Sequence, residues 1–111
     1  MELKRSNRTD KKYMVTFINP KTQREKVVHF GASSMRDFTL INSKSSKFYL
    51  ANKEDREKVK SNYRSRHKND NINDPYTPGS LSWWLLWNKP TLNASIKDYE
   101  KKFNINITKK F

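Results

Sequence analysis

The sequence predicts an α+β fold, in which an N-terminal β-hairpin or small antiparallel sheet packs against about three helices and both ends of the chain are basic and flexible. Three observations support this prediction. Residues 12–30 contain two β-branched and aromatic segments separated by a turn, residues 53–68 have the end signals of a helix, and residues 92–103 carry apolar side chains at helical spacing. A chain of 111 residues is expected to form a single domain.

The domain is predicted to span residues 12–103. A basic arm at residues 1–11 precedes it and a tail at residues 104–111 follows it. The arm is polar and lacks an apolar pattern, so it is expected to be mobile.

The hairpin begins with "KKYMVTFINP", whose alternating aromatic and β-branched residues predict a strand buried on both faces. Asn19 and Pro20 supply the turn, because asparagine bonds its own backbone and proline presets φ. The return strand "REKVVHFG" ends at Gly31. Residues 32–52 are rich in serine and have no clean period, which predicts a loop.

Three helices are predicted to follow. Asn52 suits the N-cap of a helix over residues 53–68, with acidic residues in its first turn. Ser80 is expected to cap a short helix through the tryptophan-rich run, and Thr91 to cap the last helix. The apolar stripe of that last helix consists of Leu92, Ile96, Tyr99 and Phe103.

Charge is the strongest global signal of the sequence. Lysine and arginine number 24 against 11 acidic residues, which gives a formal net charge of +13. Such an excess creates a field that attracts polyanions, whereas solubility alone needs a net charge of only about 2 to 8. Nucleic acid or another polyanion is therefore the partner that composition favours, and an acidic protein surface is the alternative.

The second half of helix 53–68 has no acidic residue, and its basic side chains spread over one arc beside Val59 and Tyr63. Long or forked donors on one rigid face suit regularly spaced phosphate oxygens. A charged arc of this kind is also common on a purely solvated face. The candidate nucleic-acid contacts are Arg56, Lys60, Arg64, Arg66, His67 and Lys68 on the helix, with Lys4, Arg5 and Arg8 on the arm.

All three tryptophans, Trp83, Trp84 and Trp87, lie within five positions. Tryptophan stacks on the bases of single-stranded nucleic acid. The run is nearly uncharged and immediately precedes an amphipathic helix, which favours the hydrophobic core or a protein interface instead. The sequence leaves core and interface open.

Several classes of function lack a sequence signal. Cysteine is absent, and two isolated histidines, His29 and His67, predict no metal site and no cofactor. No pattern of nucleophile and base is present, so we expect no enzymatic activity and no small-molecule substrate. The longest apolar run, Leu81–Trp87, is far shorter than the ~20 residues of a membrane span. The basic N-terminus has no apolar stretch, so a secreted location is not expected.

Three segments, "VHFGASSMRDFT", "YRSRHK" and "DPYTPGSLSWWLLWNKPTLNASIKDYEKKF", resemble an uncharacterised family of small basic proteins encoded by large nucleocytoplasmic DNA viruses, the giant viruses. The resemblance covers roughly residues 12–103, and its most specific part is Leu86–Leu92. It implies a viral origin and presence in the virion. It brings no established activity and no catalytic residues.

From these observations we expect a small basic viral protein that binds nucleic acid, DNA more than RNA, through sequence-independent phosphate contacts, with genome packaging as the process. The alternative is a structural virion component, a minor capsid or cement protein, in which the tryptophans contact other capsid proteins. Either function would place the protein in the virion or in the virus factory of the infected cell.

Overall fold

The computed structural model describes all 111 residues and has the predicted α+β architecture. The elements follow in the order β1 (Glu2–Arg5), β2 (Lys11–Ile18), β3 (Glu25–Ala32), α1 (Phe38–Ile41), α2 (Lys53–His67), α3 (Pro78–Leu81), a π-helical segment (Ser82–Leu86), α4 (Leu92–Phe103) and β4 (Thr108–Lys109). The four strands form one mixed sheet in the order β3-β2-β1-β4. The predicted antiparallel hairpin is its β2–β3 pair.

One face of the sheet is buried and the other faces solvent. Leu3, Val15 and Val28 are cross-strand neighbours at most 7% exposed, and they belong to the core that the helices complete. On the opposite face Ile18 is 56% exposed and Val27 is 43% exposed. The prediction that β2 is buried on both faces is therefore wrong, because the helices cover one side only.

The predicted mobile arm at the N-terminus is wrong for its first residues. Residues 2–5 form β1, which lies between β2 and β4, and Leu3 is fully buried. The tail is also part of the sheet: the amides of Thr108 and Lys110 donate to the carbonyls of Met1 and Leu3, both at 2.9 Å. β1 forms because the free edge of β2 offers its backbone groups as hydrogen-bond partners. A segment of only four residues gives no sign of this pairing in its own sequence.

The local signals of the hairpin turn and of the two long helices are confirmed. The side chain of Asn19 accepts a hydrogen bond from the amide of Lys21 at 2.9 Å. Asn52 caps α2 by accepting from the amide of Glu54 at 2.8 Å. Thr91 caps α4 by accepting from the amide of Ala94 at 3.2 Å.

The helix through the tryptophan run begins earlier than predicted. Thr77, not Ser80, is its N-cap, and its hydroxyl accepts from the amide of Ser80 at 3.1 Å. Pro78 occupies the first turn, where its missing N–H costs nothing. Ser80 is buried, and its own hydroxyl donates to the carbonyl of Ile72 at 3.2 Å.

Gly31 allows the end of β3 to pack against the π-helical segment. Its φ of +77° lies in the left-handed region, and a Cβ at this position would come within 2.7 Å of Leu86 Cδ1. The close approach brings β3, the loop before α1 and the tryptophan-rich helix together around one cleft. None of the helices has the length and apolar character that crossing a bilayer requires.

Candidate functional site

The C-terminal end of the tryptophan-rich helix is held by cations of α2. Arg64 donates to the carbonyl of Trp87 from Nε at 3.2 Å and from Nη2 at 3.1 Å. Lys60 Nζ donates to the carbonyl of Asn88 at 2.6 Å. Carbonyls at a helix end have no partner within the helix and favour positive charge, so these contacts stabilise the packing of α2.

The same two cations lie over aromatic rings. The guanidinium carbon of Arg64 is 4.5 Å from the ring centre of Trp83, and Lys60 Nζ is 4.7 Å from that of Phe38. Burial lowers the pKa of Lys60, and the neighbouring Arg64 lowers it further. Burial also lowers the pKa of Arg64. Both side chains therefore act as partly desolvated packing groups.

Arg56 is engaged in the same way. Its Nη1 donates to the carbonyls of Leu50 at 2.7 Å and Ala51 at 3.1 Å, in the loop that precedes α2. The structure thus directs Arg56, Lys60 and Arg64 to carbonyls of the protein itself, so these predicted phosphate contacts already have hydrogen-bond acceptors within the fold. The acceptors are main-chain groups, which carry no side-chain signature in the sequence.

Asn88 connects α2 to α4 and explains the specific "WNKPT" stretch in structural terms. It is 7% exposed, its Nδ2 donates to Asp98 at 2.6 Å, and its Oδ1 accepts from Arg64 at 3.5 Å. The amide of the next residue, Lys89, donates to the hydroxyl of Ser95 at 3.0 Å. This stretch is a packing junction between helices.

The tryptophans divide between the interior and a half-exposed position. Trp83 and Trp87 are each 7% exposed, and Trp87 belongs to the hydrophobic core. Trp84 is half-buried, and its indole N–H donates to the carbonyl of Ile72 at 2.8 Å. The sequence left open whether this run lies in the core or at a protein interface, and the structure places Trp87 in the core.

A cleft of ≈ 460 Å³ opens beside this junction. Its walls are the facing ends of β2 and β3, the loop before α1, the C-terminal half of α2 and the start of the tryptophan-rich helix. We call it the basic cleft. The side chains that define it are Lys11, Arg36, Asn62, Arg66, Ser82 and Trp87.

Cations outnumber carboxylates in the basic cleft by four to two. Lys12 pairs with the buried Asp37 at 2.7 Å, and His67 Nδ1 lies 2.9 Å from Asp70. The remaining cations, Lys11, Arg36 and Arg66, have neither a salt bridge nor a side-chain hydrogen bond. They come from three separate elements, so only tertiary structure brings them together. Lys11 and Arg36 were missed as candidates: Lys11 lies at the end of the predicted basic arm but was not chosen among its contacts, and Arg36 stands alone in a predicted loop.

The other predicted cations do not join the cleft. Lys4 lies 3.6 Å from Glu2, and Arg8 makes a two-point contact with Asp10 at 2.8 and 3.1 Å. Arg5 lies over the ring of Phe111. Lys68 is exposed and unpaired at the end of α2, two positions from Arg66. Of the nine predicted contacts, Arg66 and His67 are therefore the two that line the cleft.

Three aromatic rings form a continuous stack along one wall. Tyr63 lies between His67, at 4.3 Å between ring centres, and Trp87, at 4.2 Å. Burial raises the pKa of Tyr63 to about 12, and the carboxylate of Asp70 adds to the increase. Burial likewise raises the pKa of Tyr99, whose hydroxyl donates to the carbonyl of Pro75 at 2.7 Å.

These shifts predict a loss of stability in alkali. A tyrosine whose pKa is higher in the folded state stabilises the fold below its ordinary pKa near 10, and this contribution disappears as the pH rises through the folded value. We expect the free energy of unfolding to fall between about pH 10 and pH 12. Urea unfolding of the Tyr63→Phe variant, which keeps the ring, should show a smaller fall than the parent protein. Tyr49→Phe, outside the stack, is the control, and an equal change in both variants would contradict the assignment.

His29 has a partner that the sequence did not indicate. Its Nδ1 lies 2.8 Å from the hydroxyl of Ser6, whereas Ser33 donates to the carbonyl of Thr9. No carboxylate hydrogen-bonds to the His29 ring, so this pair lacks the third group that orients a catalytic base. No group of three or more histidine, aspartate or glutamate side chains is placed to hold a metal ion.

The fold and the cleft define a small basic α+β protein whose unpaired cations meet at one site. Residues 1–50 are similar to a family of unknown function (DUF5754). This segment contains β1, β2, β3 and α1, and with them Lys11 and Arg36 of the cleft. No curated protein and no solved structure matches the chain.

Proposed function

We propose that the protein binds nucleic acid through phosphate contacts that are independent of sequence, and that the basic cleft is the centre of this interaction. The observation that carries the proposal is the convergence of Lys11, Arg36 and Arg66 without internal partners. Forked and flexible donors of this kind bind phosphate oxygens, and phosphate contacts carry no sequence information. The net charge of +13 adds long-range attraction for a polyanion.

On α2, the phosphate contacts that we propose lie nearer the C-terminal end than those predicted from the sequence. Arg66 and Lys68 replace Arg56, Lys60 and Arg64 as the contacts from this helix, because the latter three bond to carbonyls of the protein. Lys11 and Arg36 extend the contact surface across the cleft to the sheet and the loop before α1.

The setting that we propose is a viral one. The resemblance to small basic proteins of large DNA viruses favours DNA over RNA as the partner, and the net charge of +13 makes packaging of the genome in the virion the process that we propose. The alternative of a capsid cement protein has less support. It requires tryptophans that contact a partner, whereas Trp83 and Trp87 are each 7% exposed.

The salt dependence of binding tests the proposal. Each phosphate contact contributes a slope of about −0.9 to log affinity against log salt on duplex DNA, and about −0.7 on a single strand. We expect Arg66→Ala to weaken binding to all sequences alike. The slope should become shallower by the contribution of about one phosphate contact. Fluorescence anisotropy with labelled oligonucleotides at several salt concentrations measures both quantities.

The same helix provides a matched control. Arg64→Ala should lower the free energy of unfolding, because the carbonyl of Trp87 loses its partner, and should leave the salt slope unchanged. Lys97→Ala, on α4 away from the cleft, should change neither quantity. Equal slopes for the Arg66 and Arg64 variants would contradict the proposed contacts, and absence of binding at about 150 mM salt would reject the function itself.

A further inference from the structure

We infer that the basic cleft holds one unpaired nucleotide of a single strand, with the base inside the cleft and its phosphate at the cations of the rim. The inference rests on the proposed function and names the form of nucleic acid that it prefers. A volume of ≈ 460 Å³ falls within the range of about 300–1,000 Å³ that is usual for small-molecule sites. A stacked base pair cannot enter such a space, whereas a base of a single strand can.

The interior of the cleft suits the apolar faces of a base. Phe30, Leu86 and Trp87 line it, and each is at most 7% exposed. Met35 also lines it and is 61% exposed, although it is apolar. A base between Met35 and the interior would bury this side chain, and methionine adapts its shape to flat ligands.

The cleft also offers unused hydrogen-bonding groups to the edge of a base. The amide of Asn62 and the hydroxyl of Ser82 both line the cleft, and neither makes a hydrogen bond within the protein. Together they provide donors and acceptors. Ser82 is the first residue of the π-helical segment, and π-helical turns occur frequently at functional sites.

The rim completes the site with charge. Lys11, Arg36 and Arg66 line the cleft from three different parts of the chain, so a nucleotide placed in it has cations available for its phosphate. In a duplex the base would first have to be unpaired and unstacked. We therefore expect a single strand to bind on the order of tenfold to a hundredfold more tightly than a duplex of equal length.

Free adenosine 5′-monophosphate tests the cleft without the rest of the strand. We expect it to bind more tightly than either adenosine or inorganic phosphate, and to shift the NMR signals of the Asn62 side-chain amide and the backbone amide of Ser82. Arg66→Ala should weaken the binding of the nucleotide by about tenfold or more. Asn62→Ala should weaken the binding of the nucleotide but not that of inorganic phosphate.

Lys58→Ala is the matched control, because Lys58 is an exposed cation of α2 that does not line the cleft. Circular dichroism checks that all variants are folded. The assignment of the cleft as a nucleotide site is rejected if the nucleotide binds no more tightly than inorganic phosphate, or if Lys58→Ala weakens binding as much as Arg66→Ala.

Titration with single-stranded and duplex nucleic-acid polymers distinguishes failure of the nucleotide site from failure of the proposed function. Nucleic-acid polymers that bind with the expected salt slope while the nucleotide does not bind would reject only the nucleotide pocket and leave the phosphate contacts of the proposed function in place. Nucleotide binding without binding of any polymer would reject the nucleic-acid function, and with it the placement of a strand in the cleft.

Discussion

Replacing Trp87 by alanine is expected to lower the free energy of unfolding by about 3–5 kcal/mol. Trp87 is 7% exposed, and its ring lies parallel to that of Tyr63 at an angle of 6°. The substitution removes both the buried apolar surface and an aromatic pair worth about 0.5–1.5 kcal/mol beyond burial. A domain of this size has a total stability of about 5–15 kcal/mol, so the loss is a large part of it.

Urea unfolding followed by circular dichroism measures this effect. Ile18→Ala is the control, because Ile18 is 56% exposed and its truncation should change stability by less than about 0.5 kcal/mol. In the parent protein the tryptophan emission should be blue-shifted and poorly quenched by iodide, since Trp83 and Trp87 are buried. Emission like that of free tryptophan would contradict the placement of this run in the interior.

Replacing Asp37 by alanine is expected to cost a similar amount, about 3–5 kcal/mol, for an electrostatic reason. The carboxylate is 2% exposed and lies 2.7 Å from the ammonium of Lys12, which is 13% exposed. Its other oxygen accepts from the amide of Leu40 at 3.1 Å and caps α1. The substitution therefore leaves a buried cation without a partner and a helix without its cap.

Two further variants separate the two contributions. Asp37→Asn keeps an acceptor for the cap and leaves the Lys12 ammonium unpaired. The double variant Lys12→Met with Asp37→Asn removes the buried charge as well. Unfolding in urea should show that the double variant recovers most of the stability that Asp37→Asn loses. No recovery would contradict the unpaired Lys12 ammonium as the cause of that loss, and a much smaller loss for Asp37→Asn than for Asp37→Ala would show that the cap is the main contribution of Asp37.

The elements that were predicted correctly are those whose signals lie close together in the sequence. The turn at Asn19, the cap of α2 at Asn52 and the cap of α4 at Thr91 each depend on hydrogen bonds to residues two or three positions away. The amphipathic period of α4 is likewise local: Ile96 and Tyr99 are buried as its stripe predicts. Local geometry and the helical period decide these features.

The elements that were missed depend on partners far away in the chain. β1 and β4 have four and two residues, too few for a periodic pattern, and they pair with each other across the length of the chain. The contacts of Lys60 and Arg64 reach main-chain carbonyls 28 and 23 positions away. The basic arc of α2 singled out these cations as candidate contacts, but their acceptors are in place only when α2 packs on the tryptophan-rich helix.

Residue patterns are enough to predict the α+β class, the hairpin, the two long helices and the high positive charge, because periodicity, capping and net charge are local or additive properties. Tertiary structure alone decided which cations are free. Of the basic residues on α2, packing directs Arg64 to a carbonyl and leaves Arg66 at the rim of the cleft, two positions further along the same helix. Lys11 and Arg36 line the same cleft from β2 and from the loop before α1, beside the point where Gly31 lets β3 approach Leu86. A site that needs the relative positions of several elements cannot be read from any one of them.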